Sequence, residues 1–557
     1  MDEMGQRHGE IQHSLFRAML GHLSVFFRLE RRILVLVVVY SLVIGLFALV
    51  VPLTVQELVN TFSFSIQPIM IATLVIIMVA VLTVVAAFKA FQYYAVEMLQ
   101  RRIFAWTAIA MTQQLPHLRF QGFNPWFSNR FIEVSFMQRA LSVLLVDIVN
   151  VVVGGAVGMT ILIFYHPYFL LFNILLLIGF AVIFFVLSHG GLHATIETSH
   201  AKYDVLEWIQ QLSHNLLHLK ATDSESFLIQ KTDQLIKRYV DCRRARFAVL
   251  FRQYIGSLGG QILAHSSALA LAGWLLSIDQ LTLGQLVAVE VVVGSLLINF
   301  DGVVKSVGQI YFFFTALTEL DSFFSLPKDT RASKSSSGLV KSVGSGIQVT
   351  GKGLTVKQGD VCLIENFDLE VSPGEKIGIH VRMTAAKVAL ARVLGGLESP
   401  SSGTILYDGI DLRDIDVSVI NRCRGFMLNS QHSLFQGTIE DNIVLDRPYV
   451  SSSDVRWALR FTELENEIDV LPQGLKTNII ALGETLAPTL VLRILLARAI
   501  AGRPQVLIFD GLIHDLPRDL RESILRRLCS RDVPWSVIFV SNDPELTPYA
   551  DRRIALP

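Results

Sequence analysis

Long apolar runs and short alternating ones divide this chain into two halves of different character. Before about residue 325, six runs are each long enough to cross a hydrocarbon layer of about 30 Å, which takes roughly 20 helical residues. They lie near 33–57, 68–96, 140–164, 168–190, 255–277 and 284–303. Between them apolar positions return at helical spacing, as in YDVLEWIQQLSHNLLHL, so the pattern predicts helices that run on well past the apolar layer. Ahead of the first run, LFRAMLGHLSVFFRLERR reads either as an interfacial helix or as a helix packed on a neighbour. From about residue 347 the rhythm changes. IQVTGKGLTV, DVCLIENFDLEV, KIGIHV and GTILYDG are short β-rich runs, a helical section follows, and VLIFD and SVIFVS are candidates for buried strands. Strands alternating with helices predict a mixed α/β layer. Between the halves, KDTRASKSSSGLVKSVGSG has too little apolar content to pack and predicts a flexible tether. The expected organisation is a six-span helical membrane domain over 1–325, a linker over 326–346 and an α/β domain over 347–557.

Charge gives the first half a direction. The connections NTFSFSIQP, YHP and SIDQLTL contain no Lys or Arg, whereas those at roughly 97–139 and 191–254 are long and rich in both, and Arg28, Arg31 and Arg32 precede the first run. Positively charged connections stay on the cytoplasmic side, so both termini and the second domain are expected there. A hydrophobic content of 52% agrees with membrane segments, and a formal net charge of zero carries no nucleic-acid footprint. Cys242, Cys362, Cys423 and Cys529 form neither a CxxC pair nor a metal-ligand cluster and read as reduced thiols. The start lacks the short apolar core and cleavage site of a signal peptide and is expected to remain in the mature protein. Glu290, inside LVAVEVVVG, reads as a cavity-facing carboxylate or as a packed one. Asp147, Lys89, His265 and Asp301 read as snorkelling or interhelical hydrogen-bonding groups.

Candidate chemistry sits in residues 374–397, GEKIGIHVRMTAAKVALARVLGGL, between a strand-like run and a helix. A phosphate-binding loop at such a place reads Gly, four residues, Gly, Lys, then Ser or Thr: bare backbone approaches the phosphates, Lys reaches the terminal ones, and the hydroxyl ligates magnesium. Here those places hold Val381, Ala386, Lys387 and Val388, and only the lysine survives. Taken in order, six spans with long extensions, a tether and this α/β unit resemble a half-transporter of the ATP-binding-cassette exporter superfamily. The resemblance covers nearly the whole chain. SPSSGTILYDGIDLRDID resembles the stretch after the family's phosphate loop, SLFQGTIEDNI the segment after its glutamine loop, LLARAIAGRPQVLIFD the helix and strand ending in its second acidic motif, and PYADRRIAL its closing strand.

That resemblance implies ATP hydrolysis at composite sites, each built from one subunit's phosphate loop and the other's signature loop, and the matched positions depart from it. Val381, Thr384 and Ala386 replace glycines, so their side chains are expected where backbone meets phosphate, and Val388 offers magnesium no hydroxyl. Asp510 matches the magnesium-supporting acid, but Gly511 stands where the family has its glutamate base. Asn542 replaces the switch histidine, Gln358 falls near the adenine-stacking aromatic, and the glutamine position is Ser430 or, with a one-residue slip, Gln431. In place of the signature Leu-Ser-Gly-Gly-Gln stand Leu486, Ala487, Pro488, Thr489 and Leu490; Ala487 lacks the hydroxyl and Pro488 a backbone donor. With their partners gone, Lys387 and Asp510 read rather as a helix-start cation and a turn-capping acid. ATP and magnesium are therefore expected to bind weakly or not at all, with no metal site and no catalytic residue of this chain's own.

The resemblance implies an integral membrane protein, of a bacterial inner membrane by weak analogy in VVPLTVQELVNTF, acting as a homo- or heterodimer. The preferred function is an ATPase-deficient half paired with an active cassette half, together with further secretion subunits. Stretches near Pro125–Ile132 and Leu206–Lys220 resemble its coupling elements, and with about 30 residues ahead of the first span no protease-like domain is expected there. The alternative is a non-transporting scaffold that uses the cassette fold for docking. A third reading is a homodimer that moves cargo down a gradient or by proton coupling through Glu290.

Overall fold

Apolar continuity becomes helix length in the N-terminal half. The computed structural model of the chain describes residues 30–64, 68–119, 126–222, 224–328, 346–427, 434–479, 486–510 and 516–556. The interfacial helix, most of the tether, Ser430, Gln431 and Gly511 lie outside them. The helices are α1 Arg31–Ala48, α2 Val50–Phe64, α3 Pro68–Gln114, α4 Trp126–Ser142, α5 Val149–Tyr165, α6 Tyr168–Ala181, α7 Gly191–His214, α8 Leu216–Ala221, α9 Glu225–Ser277 and α10 Leu283–Phe324. Single π-helical stretches at Val143–Ile148 and Val182–Val186 follow α4 and α6. All six predicted runs are helical. At 53 residues α9 reaches about 80 Å, well over twice the thickness of a hydrocarbon core.

The first predicted run is two helices: α1 stops at Leu49, and Pro52 sits in the first turn of α2, where a missing N–H costs least. The stretch read as one helix through Leu206–Lys220 is interrupted at Asn215, whose Nδ2 donates to the Gln211 carbonyl at 2.8 Å. Among the described residues five helical stretches are long and apolar enough to cross a membrane, and α9 is not one of them. Its apolar half is interrupted by Gln261, His265, Ser266 and Ser267.

Polar side chains tie these helices together. Gln92 of α3, 1% exposed, donates to Ser41 Oγ of α1 at 2.8 Å and accepts from Asn150 Nδ2 of α5 at 3.0 Å. Such bonds replace the water these groups have lost. At the start of α10, Thr282 and Gln285 form a reciprocal capping box, and Gly284 N–H donates to Asn60 Oδ1 of α2 at 3.1 Å. Gly284 is required there, because a Cβ would lie 2.4 Å from the Gln56 carbonyl oxygen.

A buried ionic network joins α4, α7 and α10. Glu133, 1% exposed, accepts from Ser199 Oγ at 3.1 Å, Lys202 Nζ at 3.1 Å and the Tyr203 hydroxyl. Glu319, 4% exposed, pairs with Arg130 and lies 3.0 Å from His200 Nε2. Three helices distant in sequence thus meet through two carboxylates.

The chain divides into two units, and the second runs from Pro327 onward with His117–Phe120. Its strands are β1 Val349–Gln358, β2 Val361–Val371, β3 Lys376–Val381, β4 Ser402–Tyr407, β5 Ile410–Asp411, β6 Arg424–Met427, β7 Gly437–Thr438, β8 Asn478–Ile479, β9 Val506–Phe509, β10 Ser536–Val540 and β11 Arg552–Leu556. Helices α11 Thr384–Leu394, α12 Val417–Cys423, α13 Ile439–Val444, α14 Ser452–Phe461, α15 Glu465–Asp469, α16 Pro488–Ala501 and α17 Arg518–Leu528 complete it. An antiparallel sheet is ordered β2-β1-β4-β5 and a parallel one β11-β3-β10-β9-β6. All residues of β9 and β10 are buried, as expected for parallel strands covered on both faces. The four cysteines are free, and burial pushes the Cys529 thiol up to about 12, so it stays protonated at neutral pH.

Candidate functional site

Parallel strands deliver their carboxyl ends to one edge of a sheet, where α/β proteins place their chemistry. Here β3 and β9 flank β10, with Phe539 registered against Gly378 on one side and Phe509 on the other. Val381 ends β3, Asp510 follows β9 and Asn542 follows β10, so three of the matched positions share that edge. The chain lines of β3 and β9 are two strand spacings apart, roughly 10 Å.

The connection from β3 to α11 is only Arg382 and Met383. Met383 is the N-cap, with φ −86° and ψ 122° and no side-chain cap, and α11 begins at Thr384, three residues before Lys387. Lys387 N–H donates to the Met383 carbonyl at 3.0 Å. An open phosphate loop needs that N–H turned outward to the ligand. Here the first helical turn occupies it. Ala385 and Ala386 favour this outcome, since alanine is the best helix former and glycine costs about 1 kcal/mol more per residue.

One expectation is corrected. Val381 and Ala386 do not project toward a phosphate: each is 2% exposed and belongs to the core between the sheets and α11. Only Thr384 of the three replaced glycines is exposed. Lys387 and Val388 are partly buried on the same turn, and Gln358 is exposed at the β1–β2 turn.

Asn542 fastens the closed turn from the neighbouring strand. Its Oδ1 accepts from Val381 N–H at 3.1 Å and its Nδ2 donates to the Arg382 carbonyl at 3.4 Å. Sequence reasoning placed Asn542 at this edge but missed its role on the loop. At about 0.5–1.5 kcal/mol per hydrogen bond, Asn542→Ala should lower the stability of the C-terminal unit by about 1–2 kcal/mol. Urea unfolding followed by the emission of Trp457 and Trp535, both in this unit, checks it. Asp510 is buried, 2% exposed.

The stretch at Leu486–Leu490 opens α16. Ala487 is its N-cap without a side-chain bond, Pro488 takes the first helical position, and Leu490 and Val491 N–H donate to the Ala487 carbonyl at 2.9 and 3.1 Å. Pro488 suits a helix start, because the N–H it lacks has no intrahelical partner. Leu486 and Leu490 pack on the core, and Arg493 anchors the next turn to the Glu467 carboxylate at 2.6 Å. Among the described residues no group of three His, Cys, Asp or Glu can hold a metal ion. In the helical unit Glu290 Oε1 lies 2.8 Å from His265 Nδ1, a partnership that single-residue reading did not supply.

Comparison with known proteins agrees with this arrangement. Residues 364–512 match the family described as ABC transporter. The cyclolysin secretion/processing ATP-binding protein CyaB of Bordetella pertussis is 30% identical over 195 residues, 35% of this chain and 27% of that protein. The leukotoxin translocation ATP-binding protein LktB of Mannheimia glucosida is 25% identical over 330 residues, 59% and 46% of the two chains. The alpha-hemolysin translocation ATP-binding protein HlyB of Escherichia coli is 25% identical over 319 residues, 56% and 44%. The chain thus spans less than half the length of these curated relatives. A structure of a bacterial Atm1-family ABC exporter with ATP bound superposes with a TM-score of 0.80 at 18% identity, covering 95% of this chain and 93% of that one. The chain therefore has the fold of an ABC exporter half, a helical membrane unit followed by an ABC cassette.

Proposed function

We propose that this chain is an ATPase-deficient half of a membrane export complex, paired with a cassette half that carries the catalytic groups. The observation that carries the reading is the loss of the loop's own residues: Val381, Thr384 and Ala386 stand at glycine positions and Val388 at the hydroxyl position, on a short connection where the Lys387 N–H is bonded to the Met383 carbonyl. The residues present do not fit Mg-ATP as a working cassette binds it, and no step of hydrolysis is assigned to them. Gly511 offers no carboxylate base and Val388 no hydroxyl. The exporter fold and the relatives, named for secretion and translocation of toxins, support export as the task and a secreted toxin as the cargo precedent. The membrane is a bacterial inner membrane, with the cassette and both termini in the cytoplasm, as the distribution of Lys and Arg supports.

Ala487 and Pro488 favour a second reading, because they also remove groups the opposite site needs, as a scaffold would tolerate. Affinity capture of the tagged chain from native membranes separates the two. A stoichiometric partner with an intact glycine-rich loop supports the export half. An assembly without any cassette ATPase supports the scaffold.

A further inference from the structure

The junction of α4, α7 and α10 holds two buried carboxylates whose partners respond differently to pH. Around Glu133 they are Ser199, Lys202 and Tyr203. Lysine and tyrosine side chains ordinarily lose protons only near pH 10, at about three units above neutrality, and burial pushes the Tyr203 hydroxyl higher still. Asn129 of α4 and Gln210 of α7 exchange amide hydrogen bonds at 3.3 and 3.0 Å, and amides do not titrate. This part of the junction is indifferent to pH around neutrality.

Glu319 of α10 is held differently. It pairs with Arg130 of α4, and its Oε1 lies 3.0 Å from His200 Nε2 of α7. Histidine is the side chain whose charge ordinarily changes near neutrality, with a pKa of about 6.5. The carboxylate is 5% exposed and the imidazole 45%, so water reaches the proton while the acceptor stays shielded. The charged groups that act on the ring are Glu319 from α10, Arg130 from α4 and Glu197 on α7 itself. The hydrogen bond to Glu319 lifts the His200 pKa against the opposing effect of burial; the charges of Glu319 and Glu197 add to the rise, and Arg130 opposes it. A value raised in the folded state stabilises the junction fully below about pH 6.5, and that contribution is lost as pH rises through the raised value.

We propose that His200 and Glu319 form a pH-dependent clasp, in which a proton on the imidazole fastens α7 to α10 and its loss slackens them. Protonated, the ring makes a charge-assisted hydrogen bond to the carboxylate; neutral, it offers only an ordinary one. Arginine keeps its charge throughout this range, so the Arg130 contact goes on holding α4 to α10 and the change falls on α7. That helix carries the first part of Leu206–Lys220, the stretch that resembles a coupling element. On the cytoplasmic side, where the Lys and Arg distribution supports placing these extensions, acidification tightens the clasp and alkalinisation loosens it. The clasp goes beyond the export reading and needs no nucleotide, partner or working cassette.

The test is hydrogen–deuterium exchange of the full chain in lipid nanodiscs, at about pH 6 and about pH 8.5, with rates corrected for intrinsic exchange and read in peptides from the middle of α7 around His200. Protection in the natural chain should fall by about two- to fivefold between the two, the size of a partly exposed ion pair. His200→Gln, which keeps an N–H donor but cannot charge, should show the lower protection at both. His200→Lys, a permanent cation, should show the higher protection at both. An equal fall in His200→Gln assigns the pH dependence to other groups and overturns the clasp, as does His200→Lys slackening like the natural chain. Flat protection in the natural chain overturns it without any variant, so the test stands even where a substitution impairs folding.

Discussion

The combined variant Val381→Gly, Thr384→Gly, Ala386→Gly, Val388→Ser should gain nucleotide binding relative to the natural chain, if the proposed loss of the phosphate loop is right. The two glycines that fall in α11, at positions 384 and 386, raise the cost of its first turn by about 1 kcal/mol each relative to alanine, which favours opening it and freeing the Lys387 N–H. Lys387 and Asp510 are already in place at the sheet edge, and the serine supplies a magnesium ligand. The variant should be less stable when empty, because Val381 and Ala386 give up core contacts. At a concentration one hundred times its dissociation constant, Mg-ATP should then restore about 2.7 kcal/mol, read as a raised thermal midpoint. Adding Lys387→Ala should abolish that shift. Phosphate release should stay at background in every form, since Gly511 still offers no base.

Removing a single carboxylate should damage the helical unit more than any change at the cassette edge. Glu319→Ala takes away the partner of Arg130 and His200 in a place where Glu319 and Arg130 side chains are only 5% and 11% exposed. Breaking a buried pair from one side costs about 3–5 kcal/mol, because the remaining charge has lost its counterion but not its desolvation. Glu319→Leu combined with Arg130→Met, which removes both charges and keeps the volume, should recover most of the loss. Thermal unfolding of the detergent-solubilised chain measures both, and equal destabilisation by the single and double changes would show that packing, not charge, holds this junction.

What the amino acids disclosed and what they withheld follow from the range of the interactions. The helices of the six apolar runs were legible from local apolar continuity, although the first run is two helices, and β9 and β10 because a doubly covered strand is apolar at nearly every position. The break at Asn215 was not, since a side chain bonding its own helix turn leaves the apolar period intact. At the cassette edge the sequence revealed which glycines were absent but not what replaced the loop. Whether Thr384, Ala385 and Ala386 stay open or close into a helix depends on whether Val381 and Ala386 find a core, which is a tertiary fact. The network of Glu133 and Glu319 joins helices from three parts of the chain, so no local window displays it. His265 and Glu290 each stood out alone, and their meeting needed the antiparallel register of α9 against α10.

Equilibrium binding and turnover of radiolabelled Mg-ATP by the purified natural chain, alone in nanodiscs, tests the closed cassette edge most directly. No saturable binding in the micromolar range and no phosphate release above the protein-free control are expected. Tight binding with steady hydrolysis, both lost in Lys387→Ala, would contradict it.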